Sequence, residues 1–154
     1  LKFLKNSNYE NTSAMSFASN LAGKAINISN TIAPHAVSYP FTSFFNISHG
    51  HAVSLTLNKF IKFNYENLNY SKSNFDLKKR FDLLFEIAKV NSFKDFDLLI
   101  QNYKNAAKLE SKFQKLGINI KDKIPLILSG TNPKRLSNNP IELDMKAVKK
   151  IIIS

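Results

Sequence analysis

Residues 21–57 read LAGKAINISNTIAPHAVSYPFTSFFNISHGHAVSLTL, and the rest of the chain is read around this stretch. It holds all three histidines, His35, His49 and His51, within seventeen residues. Neutral imidazole is the commonest protein ligand for a transition metal, so the cluster makes this stretch a candidate metal site. Geometry sharpens that reading. On one unbroken helix, the fourteen residues from His35 to His49 would separate the rings by about 21 Å, too far for one ion to touch both. The chain must therefore fold back between them, and Pro40, Asn46, Ser48 and Gly50 are residue types that bend or end helices. The expectation is a helix carrying His35, a turn at 46–48, and a second helix opening at His49.

What the stretch lacks is equally informative. No Asp or Glu occurs between Glu10 and Glu66, and the chain contains no cysteine. Catalytic metal sites ordinarily have three or four protein ligands, commonly with a carboxylate or thiolate to offset the ion's charge. This stretch offers imidazole alone, so the remaining ligands must come from a distant part of the chain or from a segment outside it.

These residues carry a family resemblance. Ala22-Gly23 with Asn27, then His35, then Ser48-His49-Gly50 with Ala52 and Leu57, is similar to the pattern of the iron-containing (group III) alcohol dehydrogenases. The likeness is ungapped over 22–57 and continues more weakly through the loops at 132–133 and 138–140, covering nearly the whole chain. Lys24-Ala25-Ile26-Asn27 and Ala33-Pro34-His35-Ala36-Val37-Ser38-Tyr39 most resemble the phosphonoacetaldehyde reductase-like subgroup.

The resemblance implies an all-α helical bundle, the dehydroquinate synthase-like carboxy-terminal domain, spanning 1–154. An amino-terminal Rossmann-like domain that binds NAD(P) would be absent from this chain. His35 and His49 are then ligands of Fe²⁺ or Zn²⁺, completed by an aspartate and a histidine of that other domain. The implied activity is NAD(P)-dependent interconversion of an aldehyde and an alcohol, with this half inactive by itself. Many members carry a further histidine four residues after the first ligand, facing the nicotinamide; here that position is Tyr39. A phenol still hydrogen-bonds or relays a proton, but with a reference pKa of about 10 it is a poorer base near neutrality.

Tyr39 and His51 are the catalytic candidates. His51, two residues from His49 on a helix, points in another direction and either lines the substrate side or meets solvent. Lys24 is a candidate hook for a phosphonate or phosphate group, against the favoured reading of a lysine on a helix's wet side. Arg135 is weighed the same way, with surface charge favoured. Two competing readings stand beside the dehydrogenase. A dehydroquinate-synthase-like lyase would be expected to show a GHTxGHA pattern, which this chain lacks. A non-enzymatic basic helical binding module would leave the histidines incidental.

Composition narrows the classes further. A chain of 154 residues with 44% hydrophobic content suits one domain with an adequate core. Without cysteine there is no disulfide framework and no thiolate metal site. No apolar run of about 18 residues appears, so a membrane span is not expected and the cytoplasm is the expected compartment. The net charge of +11, from 22 Lys and Arg against 11 Asp and Glu, is spread along the chain and reads as solvated surface rather than a nucleic-acid stripe. With four glycines and no glycine-rich loop, NAD(P) binding by this chain alone is not expected. The expected partner is a small aldehyde or alcohol, anionic if phosphonate-bearing, acted on by a homo-oligomer.

Apolar periodicity outlines the helices. The remnant of a helix is expected at 1–8. A helix starting at Asn11 or Ser13 and running to 28 presents small residues suited to close packing on another helix. Further helices are expected at 52–65, 75–90, 93–116 with a stop at Gly117, and 142–153. A short element at 121–128 is interrupted by Pro125, and 131–140 is expected to be loop.

Overall fold

A computed structural model describes residues 2–154, and among the described residues there are nine α-helices and no strand. In chain order they are α1 (Lys2–Lys5), α2 (Tyr9–Ile28), α3 (Ala33–Phe45), α4 (His49–Glu66), α5 (Leu77–Ala88), α6 (Phe93–Ala106), α7 (Ile120–Gly130), α8 (Pro133–Leu136) and α9 (Met145–Ile153). The all-α class read from the sequence is the observed one.

The bundle is centred on α3, which packs against α4, α7 and α8, while α4 is flanked by α6 and α9. Its apolar residues explain this position: Ala33, Ala36, Val37 and Phe41 have no exposed surface. They join Ala52, Leu55 and Phe60 of α4, Ile124 and Ile127 of α7, and Val148, Ile151 and Ile152 of α9 in the main core. Burying such side chains is worth about 1.5–3 kcal/mol each, which fixes α3 and α4 against one another before any polar contact is considered. A second, aromatic core lies under α5 and α6. There Tyr65 stacks on Phe93 at 5.0 Å between ring centroids and meets Phe81 edge-on at 5.2 Å.

The turn between α3 and α4 is the expected one. Asn46 adopts the left-handed conformation (φ 52°), Ile47 drops into the core, and Ser48 precedes the first residue of α4. Asparagine tolerates that conformation better than most residues, so it ends α3 without a glycine.

Pro40 lies inside α3 and has no N–H to offer the Ala36 carbonyl one turn back. The backbone N–H of Asn132 donates to that carbonyl instead, at 3.5 Å. Asn132 also caps α8, its side-chain oxygen accepting from the Arg135 N–H at 3.0 Å. Beside this junction, α7 ends at Gly130, where a Cβ would come within 2.9 Å of Pro40 Cβ and 3.0 Å of the Phe44 ring. Only glycine allows α7 to approach α3 so closely.

A buried amide pair secures the loop before α9. Asn64 of α4 donates to Asn139 Oδ1 at 3.2 Å, while Asn139 donates to Asn64 Oδ1 at 2.7 Å and to the Ile141 carbonyl at 2.7 Å. Replacing Asn64 with Leu strands the Asn139 amide. The expected cost is about 1–3 kcal/mol, measured as a lower urea midpoint with an unchanged slope; no change in midpoint would contradict the pairing.

Five expectations need correction. The helix expected over 93–116 stops at Ala106, because Lys108 takes a left-handed conformation (φ 55°) and the Leu109 and Lys108 N–H groups donate back to the Lys104 and Asn105 carbonyls. Residues 113–116 form a separate 3-10 turn, and Gly117 (φ 73°) closes that turn rather than the helix. Helix α7 runs on through Pro125, and the 131–140 region contains the short helix α8. Helix α9 begins at Met145, where Asp144 accepts from the Ala147 N–H, and not at 142. Last, α2 starts at Tyr9, capped by Asn8, and none of its twenty residues is buried. Phe17, Leu21 and Ile26 are about half exposed or more, so its apolar stripe exists but nothing among the described residues covers it.

Candidate metal centre

The first turn of α3 carries His35, the next turn carries Tyr39, and α4 opens with His49. Residues four apart share a helix face, so His35 and Tyr39 point the same way, and the 46–48 turn returns the chain to meet them. The His35 and His49 ring centroids are 5.5 Å apart with planes at 58°, and the Tyr39 ring lies 5.9 Å from that of His49. Ser38 Oγ donates to the His35 carbonyl at 2.8 Å and stands 3.5 Å from His49 Nδ1. His49 is exposed and His35 partly buried, so the corner opens outward.

Arg135 completes the corner from α8. Its guanidinium lies over the Tyr39 ring, 4.8 Å from the centroid, as a cation–π contact. Burial, and then the neighbouring His49 and Arg135, hold the His35 pKa below its ordinary value of 6.5. Each of these causes disfavours the protonated ring, so His35 keeps a free nitrogen lone pair further into the acid range than a solvated histidine does.

The same shift ties stability to pH. The unfolded chain takes up the His35 proton near the ordinary value, while the folded chain takes it up only at lower pH. Stability contributed by neutral His35 is therefore present above about pH 6.5 and is lost as the pH falls from there toward the folded pKa, below which the loss levels off. Wild type should lose more stability between about pH 7.5 and about pH 5 than His35→Gln does, read from urea midpoints. Equal losses would contradict the assignment.

The donor set fits a borderline transition metal in part. Two imidazoles at one corner, one of them held neutral, suit Fe²⁺ or Zn²⁺. Among the described residues no group of three or more His, Cys, Asp and Glu side chains is placed to hold an ion. Two imidazoles are thus all that this corner offers an ion.

The remaining residues singled out in the sequence lie elsewhere. His51 Nε2–H donates to the Glu110 carbonyl at 2.6 Å, fastening α4 to the segment after α6, and its ring makes no contact with those of His35 or His49. Lys24 is an exposed residue of α2. Arg135, weighed mainly as surface charge, is exposed and lies over Tyr39. Residues 131–140 were read as loop, so neither the helix start at 132–133 nor the Ala36 carbonyl that meets it was anticipated.

The Fe-containing alcohol dehydrogenase family, C-terminal, is the family whose model matches this chain, over residues 2–154. A phosphonoacetaldehyde reductase of Streptomyces viridochromogenes is 36% identical over 52 residues, which are 34% of this chain and 13% of that protein. The match thus spans a small fraction of that relative's length. No solved structure matches the chain. Among the described residues no helix is long and apolar enough to cross a membrane.

Proposed function

The chain belongs to the Fe-containing alcohol dehydrogenase family, as its C-terminal part, and from that premise we propose that it is the metal-holding half of an NAD(P)-dependent enzyme interconverting an aldehyde and an alcohol. The observation that carries this reading is the meeting of His35 and His49 at 5.5 Å on an outward-facing corner. Their ring nitrogens hold a divalent ion, Fe²⁺ or Zn²⁺, together with ligands from an amino-terminal domain. That ion supplies Lewis-acid polarisation of the substrate oxygen, and a nicotinamide supplies hydride.

The chain's own residues then have separate tasks. Ser38 Oγ, beside His49 Nδ1, steadies that ring. Tyr39, between His49 and Arg135, is placed to hold or pass the proton at the substrate oxygen. The guanidinium over Tyr39 offers N–H donors to an anionic group on the substrate, and the absence of Asp and Glu from Glu10 to Glu66 leaves the α3–α4 corner without a competing negative charge of its own. The relative named phosphonoacetaldehyde reductase supports a phosphonate as that group. The uncovered stripe of α2 supports a second body seated on that helix.

Assay of the full-length protein separates the readings. Oxidation of NAD(P)H that depends on added aldehyde supports the dehydrogenase; redox-neutral elimination of phosphate would replace it with a lyase. Salt-sensitive nucleic-acid binding, unchanged by loss of His35 or His49, would replace both. If Arg135 seats a substrate anion, Arg135→Ala should raise KM for phosphonoacetaldehyde about tenfold or more while leaving KM for acetaldehyde nearly unchanged. Equal effects on the two aldehydes would exclude that role.

A further inference from the structure

His49 stands in a weakly secured turn, the first of α4. Ser48 precedes that helix without a side-chain cap bond, and the turn has no acidic residue to complement the helix dipole. Gly50 follows His49, although a Cβ there would touch nothing, so it adds backbone freedom rather than close packing. Residues 48–50 are exposed, and the next buried residue is Ala52. A helix end of this kind frays unless some other contact holds it.

Two polar side-chain contacts leave this turn for other elements among the described residues. One, between His49 Nδ1 and Ser38 Oγ, is long at 3.5 Å, and that hydroxyl already donates to the His35 carbonyl at 2.8 Å. The other is the 2.6 Å hydrogen bond from His51 Nε2–H to the Glu110 carbonyl. Its acceptor is well fixed. The Leu109 N–H donates to the Lys104 carbonyl at 2.9 Å, and the Glu110 carboxylate accepts from the Lys112 N–H at 2.8 Å. Phe113, three residues on, stacks on Phe41 of α3 at 5.5 Å. The path from His49 through His51, Glu110 and Phe113 thus returns to α3, the helix that carries His35.

We propose that His51 is a positioning residue for the metal centre: its bond to the Glu110 carbonyl holds the first turn of α4 so that the His49 ring can share an ion with His35. This rests on the reading of His49 as a ligand. Metal–imidazole bonds are about 2.0–2.1 Å long, so a turn free to move by about 1 Å loosens the ion without removing any group that touches it. The His51 ring itself points away from that of His49 and acts only through the backbone between them.

Competition of the full-length protein with a chromophoric chelator for Zn²⁺ tests this. His51→Met, similar in length but without an N–H, should weaken Zn²⁺ binding about tenfold. His51→Gln, whose amide N–H can reach a carbonyl, should restore most of the affinity. Asn64→Leu lies about 22 Å further along α4 and should leave the affinity unchanged, which separates a held turn from lost stability. Wild-type affinity in His51→Met, while His49→Ala loses the ion, overturns the proposal and leaves the metal centre standing. Equal weakening by Asn64→Leu overturns it too, as does a loss in His51→Gln as large as in His49→Ala, which would make the ring a direct ligand. Retention of the ion by His49→Ala removes that ligand and the proposal together. Should His51→Met fail to fold, His51→Ser, too short to reach Glu110, decides by the same criterion.

Discussion

His35→Ala and His49→Ala, each made in the full-length protein, are expected to reduce metal-dependent aldehyde reduction by more than about a hundredfold. Loss of a group that merely orients a ligand costs about 10- to 100-fold in affinity or activity, so loss of a direct ligand should exceed that range. The effect should not reflect unfolding. His49 is exposed and His35 only partly buried, and neither belongs to the main core, so both variants should retain the circular dichroism of wild type. The 154-residue chain alone should bind Fe²⁺ or Zn²⁺ weakly, because two imidazoles without a carboxylate neither fill the coordination shell nor offset its charge. Equilibrium dialysis checks this. Affinity at about micromolar or better, lost in both variants, would show that the chain supplies a sufficient ligand set by itself, and activity unchanged in either variant would remove that histidine from the centre.

The largest effect on stability should come from Phe41→Ala. Phe41 is wholly buried in α3 and stacks on Phe113 at 5.5 Å with the planes 10° apart. Truncating such a ring costs about 3–5 kcal/mol out of a total stability of about 5–15 kcal/mol. Because α3 carries His35 and Tyr39, metal binding should fail along with folding. Urea titration measures the loss, and Ile87→Ala, at a position 70% exposed, provides the contrast with an expected change within about 0.5 kcal/mol. A Phe41→Ala cost below about 1 kcal/mol would mean that the stack between Phe41 and Phe113 contributes little.

Much of the site's geometry was legible because it depends on local rules. A spacing of fourteen positions from His35 to His49, with Pro40 and Asn46 between them, leaves a folded-back chain as the only way for the rings to meet, and Asn46 takes the left-handed turn that does so. The start of α6 at Phe93 was legible, but its end at Ala106 was not. A helix stop usually advertises itself with glycine, and here Lys108 occupies the left-handed position, held by carbonyls of the preceding turn. The stripe on α2 was legible as a pattern, but periodicity says only that a face is apolar, not what covers it. Arg135 was weighed as an anion contact, but what it lies against was not legible. Its contact with Tyr39 depends on Asn132 finding the carbonyl that Pro40 leaves free, and a pairing between residues 36 and 132 leaves no trace in either local sequence.

That missing N–H has a mechanical consequence. With an ordinary amide at position 40, α3 would close its own ladder, and nothing in its backbone would reach toward α8. The 3.5 Å contact from Asn132 fills that vacancy and links α3, which carries His35, to the start of α8, which carries Arg135. On the proposed reading, a tilt of α3 would move the Arg135 guanidinium and the His35 ring together, so the distance between the substrate anion and the metal would be set by the fold.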